Sequence, residues 1–205
     1  LPKKKLSNTI IIHTEDKKLI NELFEKISSS SSEISGAVFI PEEPEDKNYN
    51  HNKEKVFKFN DLEAKGSFLA LRVEGEKISI NEKIKALSDE LELDKLNSTI
   101  LDVYQSTPFW KKINNLELFK ATKNNLLRVV IPPSKGNKLM QYLGNKYKYY
   151  IDWCGALYWI EVQAKKNSQV GEIKKLIKEI EGYITIIKTS NEFDYEETIF
   201  TVDDT

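Results

Sequence analysis

The side chains with the most specific chemistry in this chain are two arginines, three tryptophans, two histidines and one cysteine. Arg72 and Arg128 are the only arginines among 31 basic residues, and the remainder are lysines, as in the coding bias of an AT-rich genome. Under such a bias an arginine persists best where lysine cannot replace its planar, bidentate fork, which singles out both positions. A strand ion pair, such as Arg72 with Glu161, is the structural alternative. His13 and His51 stand far apart, with no HxH, HExxH or CxxC spacing, which argues against zinc. No serine sits in a His-Asp constellation, so a hydrolytic triad is unsupported. Cys154 follows Trp153 in a strand pattern and reads as a small buried hydrophobe. The eight glycines form neither GxG nor GxxxxGK[ST], which leaves the chain without a recognisable nucleotide cradle of its own.

The elements that must position these residues repeat. In the first half, Thr9–His13 is a strand. A helix capped by Thr14 follows, with Leu19, Ile20, Leu23, Phe24 and Ile27 on one face. Strands follow at Gly36–Ile40 and Phe68–Glu74, then a helix opened by a Ser79/Glu82 capping box, then a strand at Ser98–Val103. Between the middle strands, the polar stretch 42–65 has no buriable face and is expected to be mobile or poorly packed. Thr107-Pro108 caps a connecting helix bearing Phe109, Trp110 and Ile113. The second half repeats the order: a strand at Leu126–Ile131, a helix at Asn137–Leu143, and strands at Tyr149–Trp153 and Ala156–Val162. A helix capped by Ser168 and stopped by Gly182 leads into Tyr183–Lys188. The expected fold class is therefore α+β. It consists of two fused ferredoxin-like β-α-β-β-α-β halves, residues 1–104 and 105–205, with helices on one face of an antiparallel sheet.

Strand alternation then assigns faces. Leu69, Leu71 and Val73 point under the helices, which leaves Phe68, Ala70, Arg72 and Glu74 on the open side. Leu127, Val129 and Ile131 point inward, and Arg128 and Val130 outward. Leu157, Trp159 and Glu161 form one set in their strand, and alignment of the halves puts Arg72 and Trp159 at equivalent positions. Both arginines and a tryptophan are thus expected on a helix-free face, within reach of a shared small anion.

Net charge is -1, so no positive field exists to hold a nucleic acid. The β-α-β-β-α-β order is shared with RNA-recognition modules, but Ser67 occupies a position where stacking needs an aromatic ring. A single cysteine and the absence of a membrane-length apolar run suit a reducing, cytoplasmic setting. Leu1 in place of an initiator Met points to a processed, trimmed or excised chain.

Three stretches, read in order, resemble the FAD-binding subunit of bacterial glycolate oxidases. Ile34-Ser35-Gly36-Ala37-Val38-Phe39-Ile40-Pro41 is similar to that family's VSGAAHLP segment. Leu69-Ala70-Leu71-Arg72-Val73-Glu74-Gly75 is similar to its LxLRLEG strand. Tyr150-Ile151-Asp152-Trp153-Cys154-Gly155-Ala156-Leu157-Tyr158-Trp159 resembles its DWGGALRW block. Pro108-Phe109-Trp110 and Leu126–Pro133 fall in family order between them. Two positions depart: Cys154 replaces a glycine, and Tyr158 replaces a basic residue. The resemblance implies an FAD-binding domain of vanillyl-alcohol-oxidase type and an FDPxGxxNPGR-like tail, both expected outside these 205 residues.

The resemblance implies a cap, not catalytic alone, over a flavin held by that FAD-binding domain or subunit, with a catalytic glycolate oxidase subunit as a further partner. The open face would look toward FAD and a small 2-hydroxy acid such as glycolate. Arg72 and Arg128 would bind the carboxylate, Trp159 and Trp110 would form walls, and hydride chemistry would belong to the flavin. No FAD is expected on this chain alone. The rival reading, from another class, is a non-catalytic interaction module derived from such a subunit.

Overall fold

The computed structural model describes residues 6–30, 32–57, 66–164 and 167–189. The fold is α+β. Among the described residues it is built from eight strands and six helices, and the described strand pairs are all antiparallel. The chain forms two compact units, Leu1–Glu42 with Asn52–Leu118, and Glu43–His51 with Phe119–Thr205. The division differs from the sequence expectation, because the connecting helix joins the first unit and residues 43–51 join the second.

In the first unit the strands are β1 (Leu6–His13), β2 (Ile34–Ile40), β3 (Phe68–Gly75) and β4 (Ser98–Leu101), in the order β4-β1-β3-β2. Helix α1 (Lys17–Ser29) buries Ile20, Leu23, Phe24 and Ile27, and α3 (Ile80–Glu90) buries Ile80, Ile84 and Leu87. Ile10, Ile12, Leu69 and Leu71, none of them exposed, fill the core from the strands. Asp16, not Thr14, caps α1: its Oδ1 accepts from the amides of Lys18 and Leu19 at 2.9 and 3.2 Å. The Ser79 box does not form. Ser79 already has helical backbone, and its hydroxyl donates to the Glu76 carbonyl.

Helix α4 (Val103–Asn114) begins four residues before Thr107-Pro108. Asp102 and Gln105 form the capping box there, and Pro108 lies inside the helix. This helix packs on β1 and contributes Phe109 and Trp110 to the face that bears Phe68 and Arg72. The expectation of helices on one face only is therefore corrected in this unit.

In the second unit β5 (Asn125–Val130), β6 (Lys148–Asp152), β7 (Leu157–Val162) and β8 (Tyr183–Lys188) take the order β6-β7-β5-β8. Helices α5 (Gly136–Leu143) and α6 (Asn167–Glu179) supply buried Leu139, Met140, Leu143, Val170, Ile173 and Ile177. Helix α6 starts before Ser168, and its preceding residues lie outside those described. At the α6 exit Glu181 carries the left-handed backbone, φ 60°. Gly182 is needed for space, since an added Cβ would stand 2.6 Å from Ile131 Cγ2 and 2.9 Å from the Val130 carbonyl.

The stretch expected to be mobile or poorly packed carries buried anchors among its described residues, although most of its side chains there are exposed or half-buried. Tyr49, Lys53 and Phe57 are all at most 3% exposed, and Lys53–Val56 forms a short helix, α2. Residues 58–65 of that stretch lie outside the described residues. Buried polar anchors hold the rest. Lys148 Nζ pairs with Glu43 at 2.7 Å and donates to the Asn50 carbonyl, and Lys53 Nζ donates to the carbonyls of Pro41 and Gly66.

Candidate functional site: two arginine–tryptophan stacks

Arg72 lies on β3 between Thr9 of β1 and Gly36 of β2. The β2 register slips by one residue between Ile34 and Gly36, so Ser35 is an unpaired bulge. That frees its polar groups for the arginine. Arg72 Nε donates to Ser35 Oγ at 3.0 Å, and Nη2 donates to the Ser35 carbonyl at 2.7 Å. The guanidinium also stacks on Trp110, its central carbon 4.8 Å from the ring centroid.

Trp110 is fixed in turn by its own indole N–H, which donates to Thr9 Oγ1 at 2.8 Å. Ser106, one turn earlier on α4, hydrogen-bonds Thr9 Oγ1 at 2.7 Å and Ser7 Oγ at 2.9 Å. The result is a closed cluster drawn from β1, the β2 bulge, β3 and α4. Two of the three guanidinium nitrogens of Arg72 are committed within it. Arg72 therefore does not project from a helix-free face, and the expected pair of arginines sharing one small anion loses this member.

Arg128 has a different environment. On β5 it faces Trp159 of β7 and Thr185 of β8. Its guanidinium carbon lies 5.4 Å from the ring centroid of Trp153. It forms no hydrogen bond or ion pair with any described residue, so its donors remain open. Strand alternation sets Arg128 and Trp159 opposite Val129 and Tyr158, on the side away from α5, where Tyr158 donates its hydroxyl to the Gly136 carbonyl at 3.2 Å. Trp159 is half-buried beside Tyr150, ring centroids 6.5 Å apart. Of the four residues expected to bind substrate, Arg72 and Trp110 thus meet in one cluster. Arg128 and Trp159 are neighbours in the second unit.

Sequence reading missed Trp153 as the stacking partner. It is 56% exposed and sits in a turn, Trp153–Gly155, not in a strand. Trp153 and Cys154 both have φ 51°, left-handed backbone that disfavours a residue with a Cβ. Asp152 Oδ1 secures the turn by accepting from the Trp153 amide at 2.8 Å. The glycine of the resembled DWGGALRW block falls at Cys154, where glycine would be unstrained. A glycine in that motif position was the available signal for a turn. Tyr158, at the block's basic position, is fully buried, and burial pushes its hydroxyl well above the ordinary tyrosine range. It is part of the core under α5.

A third polar assembly lies in the second unit, around Glu161 of β7. Glu161 is 1% exposed. Its Oε1 accepts from Thr122 Oγ1 at 2.5 Å and Asn124 Nδ2 at 2.7 Å, while Oε2 has no hydrogen-bond partner among the described residues. It lines a cavity of about 380 Å³ together with residues from 47–51 and 121–124. Its polar position in an otherwise apolar strand was visible in the sequence. The loop that covers it was not.

Among the described residues, no helix is long and apolar enough to cross a membrane, and no three His, Cys, Asp or Glu side chains converge as metal ligands. No protein-family model and no curated protein matches the chain.

Proposed function

We propose that the chain is a cap, or substrate domain, of an FAD-dependent 2-hydroxy-acid oxidoreductase of the glycolate oxidase type, acting in the cytoplasm. The flavin would be held by a separate FAD-binding domain or subunit, with a catalytic subunit as a further partner. The observation that carries this reading is Arg128: a guanidinium stacked on one tryptophan, next to a second, with its hydrogen-bond donors open. A carboxylate can accept two parallel N–H bonds from such a fork, while the indole limits how the fork turns. Trp153 and Trp159 would then form the walls of the carboxylate end. Arg72 and Trp110 would act as packing that holds α4 on the sheet.

Support for the resemblance comes from packing. Ser35 and Gly36, Arg72, and Trp110 belong to three separated stretches that resemble the same family, and these residues touch one another. Oxidation of the 2-hydroxy acid would be the flavin's chemistry, and this chain would supply orientation and charge.

The test is to combine the chain with the FAD-binding domain of a bacterial glycolate oxidase and follow flavin reduction by glycolate. Reduction that requires the chain, and that fails with Arg128→Ala, is the expected result. Association without any effect of the chain or of Arg128 on flavin reduction would favour an interaction module. That second reading rests on the exposure of Trp153, Tyr183 and Ile187 in the second unit, at 56%, 60% and 48%. Absence of association would overturn the cap assignment.

A further inference from the structure

The cavity at Glu161 involves none of the arginine–tryptophan residues, and its walls are built from within the second unit. One wall is the loop 46–51. Asp46 Oδ1 accepts from the Asn48 amide at 2.9 Å and from Asn48 Nδ2 at 2.6 Å. The Asp46 carbonyl accepts from the Tyr49 amide, and His51 Nε2 lies 3.2 Å from it. Gln163 Nε2 fastens this wall to the sheet by donating to Asp46 Oδ2 at 2.6 Å. The other wall is the turn 121–124, tied to the first by Asn124 Nδ2, which donates to the Asn48 carbonyl at 3.1 Å.

The buried lining residues Tyr49, Thr122 and Glu161 form the floor, and the exposed Lys47, Lys123 and His51 stand at the rim. A carboxylate offers about four acceptor sites, and a buried one left short of partners is costly. Here both donors converge on Oε1, and Oε2 has none among the described residues. Lys148, opposite Glu161 in the β6–β7 register, has its ammonium at Glu43 and the Asn50 carbonyl. The group that completes Glu161 must therefore donate hydrogen bonds, and a positive charge would serve it best. A metal ion lacks the further ligands it would need among the described residues. A simple cation is disfavoured by the two rim lysines, so the occupant must carry a negative group of its own. The volume of about 380 Å³ is at the small end of ligand pockets, which run from roughly 300 to 1,000 Å³.

We infer that this cavity binds a small zwitterion of the α-amino acid class, with its ammonium group on Glu161 and its carboxylate toward Lys47 and Lys123. The site is independent of the role proposed for Arg128, and either can fail without the other.

The experiment is an NMR titration of the full chain with the common free amino acids, using methylammonium and acetate as single-charge controls. At least one amino acid should shift the amides of Thr122, Asn124 and Glu161 with a millimolar or tighter Kd, and both controls should bind at least about tenfold more weakly. Glu161→Gln keeps the shape of the floor and removes its charge, and it should weaken binding about tenfold or more. The double variant Lys47→Ala, Lys123→Ala should weaken it through the carboxylate end, and it keeps the test decisive if the floor variant misfolds. The inference is overturned if no amino acid shifts these resonances, if methylammonium binds as well as the amino acid, or if binding survives both variants.

Discussion

The indole of Trp110 occupies the space where a side chain at Gly36 would be. An added Cβ would stand 3.0 Å from Trp110 Cζ3 and 3.1 Å from Cη2, with Arg72 Nε 3.4 Å away. The ring cannot easily yield, because its N–H is held by Thr9 and its face is covered by Arg72. Gly36→Ala should therefore destabilise the protein by about 1–3 kcal/mol, the usual cost of overpacking. Denaturant titration followed by tryptophan fluorescence measures it, and an unchanged midpoint would contradict the packing described.

The two arginines should respond differently to lysine. Arg72→Lys loses the fork to Ser35 and part of the stack on Trp110, and should cost about 1–2 kcal/mol of stability. Arg128→Lys breaks no hydrogen bond within the described structure and should stay within about 0.5 kcal/mol. Equal losses in chemical denaturation would mean that Arg128 is also a packing residue, and would weaken the carboxylate role proposed for it.

Cys154 should be improvable. Its left-handed φ of 51° strains a residue with a Cβ, so Cys154→Gly should raise stability by about 0.5–1 kcal/mol. A lower melting temperature for the glycine variant would show that the thiol's contacts outweigh the backbone strain.

The Lys148–Glu43 pair, its lysine 2% exposed and its glutamate 14% exposed, should be costly to break from one side. Lys148→Met leaves Glu43 without this cation and should destabilise by about 3–5 kcal/mol, whereas adding Glu43→Gln should recover much of the loss. Additive losses in the double variant would refute the coupling.

His13 should give stability a pH slope. Burial first, and the charge of Lys53 second, hold its imidazole below the ordinary value of 6.5. Between that value and the lower native one, the unfolded chain binds more protons than the folded chain, so acid favours unfolding. The contribution is fully present above about pH 6.5 and is lost as the pH falls toward the native pKa. Denaturation midpoints of the wild type and His13→Asn across this range should diverge, with the wild type falling more steeply in acid. Parallel curves would exclude His13 as the source.

What the sequence determined by itself was the local order and the facing of each element. The 3.6-residue stripe of Ile20, Leu23, Phe24 and Ile27, and the alternation of Leu69, Leu71 and Val73, are written in neighbouring residues, and burial of an apolar face needs nothing more. Alternation likewise placed Arg72 and Arg128 on the side away from the first set of helices. It could not say what covers that side. Helix α4 is seated on Arg72 by Thr9, Ser106 and Trp110, residues about a hundred positions apart in the chain. The bulge at Ser35 and the bare Gly36 complete the seat. The loop 43–51, polar and without periodicity, is held by Lys148 and Gln163, which lie more than a hundred residues downstream of the carboxylates they meet. Tertiary structure therefore decided which arginine became packing and which kept its donors open, because that choice depends on long-range hydrogen bonds and steric fit that no local pattern encodes.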